Sequence, residues 1–221
     1  MTFVQDGTTG SILQAVENGH KAARVTVRPT DALGHYSLAG FSGVIPAALG
    51  ANSELVQFRN ASTTLVLVKR VRISASVSTT FFAAGVPLQV DMVKATAWSA
   101  AGTGGTAPTL SATAKRRTTM PSSVIASGDI RIASTAALGA GTKTLEANSL
   151  RALAAGVPIT SALNTQIIAP GTVLFDSRDG DGDYPLLLVQ NEGFALRCVA
   201  VPGTGTWTFS VEIDWAEIAS Y

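Results

Sequence analysis

The sequence predicts an all-β protein, a jelly-roll-like two-sheet β-sandwich with an extended N-terminal arm. Three observations predict it. Several segments alternate apolar and polar residues with period 2, as half-buried strands do. Clusters of Gly, Pro, Asn and Ser separate those segments at short spacing. Ser and Thr, which suit exposed strands and their turns, are abundant, while only 14% of residues are charged, against about 25% in an average soluble chain. Ala, Gly, Ser and Thr together supply about 45% of the sequence. With 221 residues, one sandwich can bury a sizeable core without a disulfide or a metal.

Residues 1–23 read as the arm. Ser11 and Gln14 have capping-box spacing, and Ile12, Leu13 and Val16 are spaced for one helix face, while Gly19 weakens a helix. A strand or a mobile terminus fits the same residues. As an interaction element, Ile12, Leu13 and Val16 would reach a neighbouring subunit. Residues 24–221 read as one sandwich domain. Arg24–Arg28 alternates and stops at Pro29, and Glu54–Arg59 is a short strand. Thr64–Val77 is the longest strand, with Leu65, Leu67, Val71, Ile73, Ala75 and Val77 on one face. Pro87–Trp98 follows, with Leu88, Val90, Met92 and Trp98 on one face.

Residues 99–127 are a Gly/Thr-rich stretch that predicts a surface loop or hairpin tip. Lys115, Arg116 and Arg117 lie within it. Asp129–Ala133 is a short strand, and Thr144–Ala154 is the one internal helix the pattern predicts. Thr172–Asp176, Tyr184–Gln190 and Phe194–Val201 are further strands. Pro202-Gly-Thr-Gly205 then turns the chain into the clearest strand of all. There Trp207, Phe209, Val211, Ile213 and Trp215 face one way, and Thr208, Ser210, Glu212 and Asp214 the other.

Chemistry is sparse in this pattern. The net charge of +1 argues against nucleic acid as the main partner, because phosphate neutralisation needs a basic excess. No apolar run approaches the roughly 18 residues of a membrane span. The first residues lack the basic and apolar regions of a signal peptide, so none is expected. The single cysteine, Cys198, sits mid-strand and reads as a small core residue. His20 and His35 have no ligand-spaced companions. Glu212 and Asp214 stand about 7 Å apart on one strand face, a spacing open to paired-carboxylate chemistry but commoner in a solvated face. Asp179, Asp181 and Asp183 alternate with Gly as at the start of an EF-hand loop, but the sixth and twelfth positions are Tyr184 and Gln190. The segment is a plain acidic turn or a calcium site, and calcium is the one cofactor the residues admit. The basic residues Lys115, Arg116 and Arg117 are candidates for contact with an acidic protein neighbour. No convergent catalytic set is visible, and an enzyme is not expected.

The stretch Asn191-Glu-Gly-Phe-Ala-Leu-Arg197 and Gly203-Thr-Gly-Thr-Trp-Thr-Phe-Ser-Val-Glu-Ile-Asp-Trp-Ala-Glu217 resembles the endings of structural proteins from tailed bacteriophages. Arg24-Val-Thr-Val-Arg-Pro29, Asn52-Ser-Glu-Leu-Val-Gln-Phe-Arg59 and Thr135-Ala-Ala-Leu138 extend the resemblance over most of the chain. It implies a virion component, similar to jelly-roll proteins that decorate or cement the capsid. It also implies a homo-oligomer, with a trimer by analogy, whose partners are the major capsid protein or other virion proteins. A tail- or fibre-base protein and a carbohydrate-binding sandwich module are the alternatives. The latter needs exposed aromatics, whereas Trp98, Trp207 and Trp215 all fall on core-like faces.

Overall fold

The computed structural model describes residues 3–5, 12–14, 32–47, 49–82, 87–110, 114–157, 164–178, 186–200 and 203–219. The chain divides into two compact units, residues 1–30 and 31–221. In the first, Phe3–Gln5 (β1) and Ile12–Gln14 (β2) pair antiparallel, with Phe3 opposite Gln14. Of the conformations the arm sequence admits, Ile12 and Leu13 therefore adopt the extended one. Val16 and the alternating segment 24–28 lie outside the described residues.

The second unit is a two-sheet β-sandwich. Its strands are β3 (Ala32–Phe41), β4 (Ile45–Pro46), β5 (Ser53–Asn60), β6 (Leu65–Val77), β7 (Leu88–Ala100), β8 (Ile130–Ile132), β9 (Thr142–Leu145), β10 (Arg151–Ala155), β11 (Gln166–Asp176), β12 (Leu186–Leu188), β13 (Glu192–Ala200) and β14 (Thr206–Ile218). One sheet has the order β11-β6-β14-β3, with β12 also on β6 and β4 on β14. The other has the order β10-β7-β13-β5-β8, with β9 also on β7. Eight of the strands nest in pairs, all antiparallel: β3 with β14, β5 with β13, β6 with β11, β7 with β10. Successive pairs fall alternately in the two sheets. This is one long hairpin rolled up so that β14 also meets β6 and β13 also meets β7, the jelly-roll arrangement.

Apolar side chains from both inner faces fill the space between the sheets. Phe58 stacks on Phe194 at 5.2 Å and Tyr36 on Trp215 at 5.5 Å. Phe58 meets Trp215 edge-on at 5.5 Å, joining the two aromatic pairs across the sandwich. Each such pair adds about 0.5–1.5 kcal/mol beyond its burial. The alternation read along β14 holds, with Trp207, Phe209, Val211, Ile213 and Trp215 all in this core.

Extra residues interrupt the alternation on several strands, and on two of them they overturn the faces read from the sequence, because one inserted residue moves later side chains to the other face. On β6, Asp214 stands opposite Arg70 and Trp215 opposite Val68, leaving Lys69 as the bulge. Val71, Ile73, Ala75 and Val77 face the core as expected, but before the bulge Val66 and Val68 do so, not Leu65 and Leu67. On β7 the bulge lies near Ala97, whose φ is +49°. Trp98 is thereby turned away from Leu88, Val90 and Met92. It is fully buried, but outside the sheet, over Gly193, where a Cβ would meet its ring at 2.8 Å.

The expected helix at 144–154 does not form. Thr142–Leu145 and Arg151–Ala155 are strands that add to the edge of β7. The leucines that suggested helical spacing are only partly buried, and Leu150 and Leu153 pack on the rim of the core. The stretch 99–127 is also more than a surface loop. Leu110, Ala114 and Ile125 are buried, and Thr106 bridges to Ile132. Strand β3 escapes the alternation reading because Gly34 and Gly40 occupy inward-facing positions. Side chains close over both: an added Cβ would meet the Tyr36 ring at Gly34 and Ile132 Cδ1 at Gly40.

Candidate functional site

The outer face of the β11-β6-β14-β3 sheet is built in rows of directly opposed residues. One row is Asp176, Arg70, Asp214 and Ser37; the next is Val173, Arg72, Glu212 and Ala39. Then come Ser74, Ser210 and Phe41, and beyond them Ser76 and Thr208. The serines share a 2.6 Å hydrogen bond, and Ser76 and Thr208 one of 3.3 Å. The face thus runs from a charged end to one of paired hydroxyls.

Asp214 organises the charged end. Arg70 donates to its Oδ2 from Nε at 3.0 Å and Nη2 at 2.7 Å, and Ser37 Oγ donates to Oδ1 at 2.7 Å. Arg116 Nη2 donates to Oδ1 at 2.5 Å. Burial pushes this carboxyl up, but the hydrogen bonds from Ser37, Arg116 and Arg70 outweigh it and hold it below the ordinary aspartate range. Asp214 is 8% exposed, so it is not part of a solvated face. Glu212, bound to Arg72 at 3.3 Å, is exposed as that reading expected. Each carboxylate is matched by its own arginine, which suits cross-strand pairing.

Arg116 belongs to a strap that runs along the outer edge of β3. Ser37 N donates to Ala114 O at 2.8 Å and Arg116 N to His35 O at 3.1 Å. Tyr36 Oη donates to Pro121 O at 3.1 Å. Glu217, itself buried, accepts from Ser123 Oγ at 2.5 Å and from Val124 N at 3.0 Å. Lys115 bridges to Tyr36, and Arg117 is exposed. Of the three basic residues predicted to meet a neighbour, Arg116 therefore has an acidic partner within its own chain. His35 lies under the strap with its Nδ1 3.0 Å from Lys69 Nζ. Lysine can only donate, so Nδ1 accepts and the ring is neutral. Burial lowers the pKa of His35 first, and the positive charges of Lys69, Arg116 and Arg117 lower it further.

The described part of the strap pairs with one half of the edge. Alternate residues of an antiparallel edge strand point their backbone groups outward. In β3 these include His35 and Ser37, which bond to the strap, and Ala39 and Phe41, which bond to no described residue of this unit on that side. The Phe41 side chain is 77% exposed, the largest exposure among the described large apolar residues.

The outer face of the other sheet is covered instead by chain. Here Arg197 donates to Asp91 from Nε at 3.0 Å and Nη2 at 2.5 Å, and Ser149 Oγ donates to Asp91 at 2.6 Å. Lys143 pairs with Glu54 at 2.8 Å. Cys198 is in the core, and burial pushes its thiol up to about 12, with Asp91 adding to the effect, so it is no nucleophile near neutral pH. An open groove of about 660 Å³ lies beside β10 and β11, lined by Arg151, Leu153, Val173 and Asp176 among others. Among the described residues no group of three or more His, Cys, Asp or Glu is placed to hold a metal. Asp179, Asp181 and Asp183 lie outside the described residues, as does His20. No helix is long and apolar enough to cross a membrane among the described residues.

Sequence reasoning missed the Asp214 hub and the open half of β3. Both depend on pairings between residues over 75 positions apart, as in Ser37 with Ala114 and Arg116 with Asp214. No protein-family model, curated protein or solved structure matches this chain.

Proposed function

We propose that this chain is a structural subunit of a bacteriophage particle, a capsid decoration or cement protein that stabilises the head through contacts between subunits. The observation that carries the reading is a jelly roll with a filled core in which, among the described residues, the distal half of one edge strand is open, with Phe41 exposed beside it. Open strand edges and exposed aromatics are what assembling proteins present to one another. The phage-like segments of the sequence and its poverty of charge agree with this role. Its action is mechanical. Each persistent contact buries on the order of 1,200–2,000 Å², and many identical contacts reinforce one another. A homotrimer seated on the major capsid protein is the assembly proposed. Burial of all three tryptophans weighs against the sugar-binding alternative.

The test is copy number, measured by quantitative mass spectrometry of purified particles and ratioed to the major shell protein. Hundreds of copies support a head decoration protein. A few to a few dozen move it to the tail, neck or fibre base, and absence from the particle overturns the virion reading. Phe41→Asp should fold normally and fail to incorporate. Normal incorporation of that variant would remove the β3 edge from the contact.

A further inference from the structure

Beneath the loops that cover the outer face of the β10-β7-β13-β5-β8 sheet, three side chains meet at one atom. Glu54 Oε2 accepts from Lys143 Nζ at 2.8 Å and from Gln57 Nε2 at 2.6 Å. The Lys143 side chain is 2% exposed and that of Glu54 7%; Gln57 is 1% exposed. The Trp98 ring lies 4.6 Å from Nζ and closes one side. The carboxamide is clamped from the other. Gly139 O accepts its second Nε2 hydrogen at 2.9 Å, and a Cβ on Gly102 would collide with both Gln57 Oε1 and Nε2. Lys143 also donates to Ala140 O. An amine, a carboxamide and a carboxylate bonded to both are thus held together away from water.

We propose that this is a self-modification site at which Lys143 and Gln57 form an intramolecular isopeptide bond, with Glu54 as the proton carrier. Glu54 takes a proton from the Lys143 ammonium across their hydrogen bond. The freed amine attacks Gln57 Cδ, forming the Nζ–Cδ bond and a tetrahedral adduct. The adduct collapses with cleavage of Cδ–Nε2. A second Nζ proton, relayed by Glu54, goes to the departing nitrogen, which leaves as ammonia. The first proton then converts ammonia to ammonium and restores the carboxylate. No electrons change hands and no co-reactant is needed. Fixing the amine and the amide in one dry pocket supplies the proximity on which such a reaction depends, and Glu54 is within the reach required of a general base. The product would tie the strand β9, beyond the cover loops, to β5 by a covalent staple, closing a long loop as a disulfide does. The site stands apart from the proposed assembly role and can succeed or fail without it.

The test is the intact mass of the purified full-length chain in denaturant, compared with Lys143→Arg, which keeps the positive charge but lacks the primary amine. Wild type should be lighter by one ammonia after allowance for the substitution. Its protease digest should contain one branched peptide joining the segments around Gln57 and Lys143. Lys143→Arg and Glu54→Gln should both keep the full mass. Ammonia loss without that branched peptide would assign the loss elsewhere and overturn the proposal. So would folded wild-type protein that keeps its full mass on prolonged storage. Neither result depends on whether Glu54→Gln folds.

Discussion

Asp214→Ala separates two carboxylates that look equivalent along β14. The substitution removes four donated hydrogen bonds, from Arg70 Nε and Nη2, Arg116 Nη2 and Ser37 Oγ. Hydrogen bonds to a charged group contribute about 1.5–3 kcal/mol each when fully buried. Here Arg116 is 51% exposed and Arg70 24% exposed, so water replaces much of what is lost. The discounted cost is about 2–3 kcal/mol, below the ~3–5 kcal/mol of breaking a fully buried pair. With a urea dependence of ~2 kcal/mol per M, the midpoint should fall by about 1–1.5 M. Glu212→Ala disrupts a pair whose members are 32% and 49% exposed, and should cost about 0–1 kcal/mol. The assay is reversible urea unfolding followed by tryptophan fluorescence, since Trp207 and Trp215 lie in the core. A loss in Asp214→Ala no larger than in Glu212→Ala would refute the hub, and with it the idea that Arg116 pins the strap to the sheet.

Tyr36 should make the fold sensitive to alkali. Burial first, and Glu217 second, push its phenol up to about 12, while the unfolded chain releases that proton near about 10. Stability is then complete below about pH 10 and declines as pH rises through about 12; Tyr36→Phe should flatten that decline in urea midpoints, and an unchanged decline would assign it to other groups. Cys198, buried with its thiol near about 12, should resist alkylation at neutral pH in native buffer and react at once in denaturant; reaction in native buffer would mean that the core opens locally. Deleting residues 1–20 should leave the circular dichroism of the sandwich unchanged and weaken incorporation into particles, and unchanged incorporation would remove the arm from the contact.

The β class was legible because strand periodicity is local: β5, β6, β7, β13 and β14 announce themselves within ten or so residues. Bulges are not local. Nothing in Val66-Leu-Val-Lys-Arg70 says that Lys69 is the extra residue, because the bulge exists only relative to Asp214 and Trp215 on the partner strand. Ala97 likewise reverses Trp98 through a backbone turn that alanine rarely takes. Strand β3 was hidden by glycines that are inward-facing for steric reasons, and the helix predicted at 144–154 was a leucine spacing in two short edge strands. The same distance dependence hides the polar clusters. Glu54 and Gln57 are close in sequence, but Lys143 reaches them only after β9 has been laid on β7.

A sandwich has four strand edges, and unprotected edges invite uncontrolled pairing. Three of them carry a recognised safeguard. β11 is interrupted by Pro170 and three register shifts. β8 is only three residues long and is bridged by Thr106. β10 is five residues long and begins at Arg151. The fourth, β3, runs for ten residues, and among the described residues the strap protects the half that holds His35 and Ser37. At Ala39 and Phe41 the described chain places no charge, proline, bulge or cover on the outer edge. Among the described residues that remainder is open beside an exposed phenylalanine, which fits an edge covered by a partner, and this is why Phe41→Asp tests assembly rather than folding.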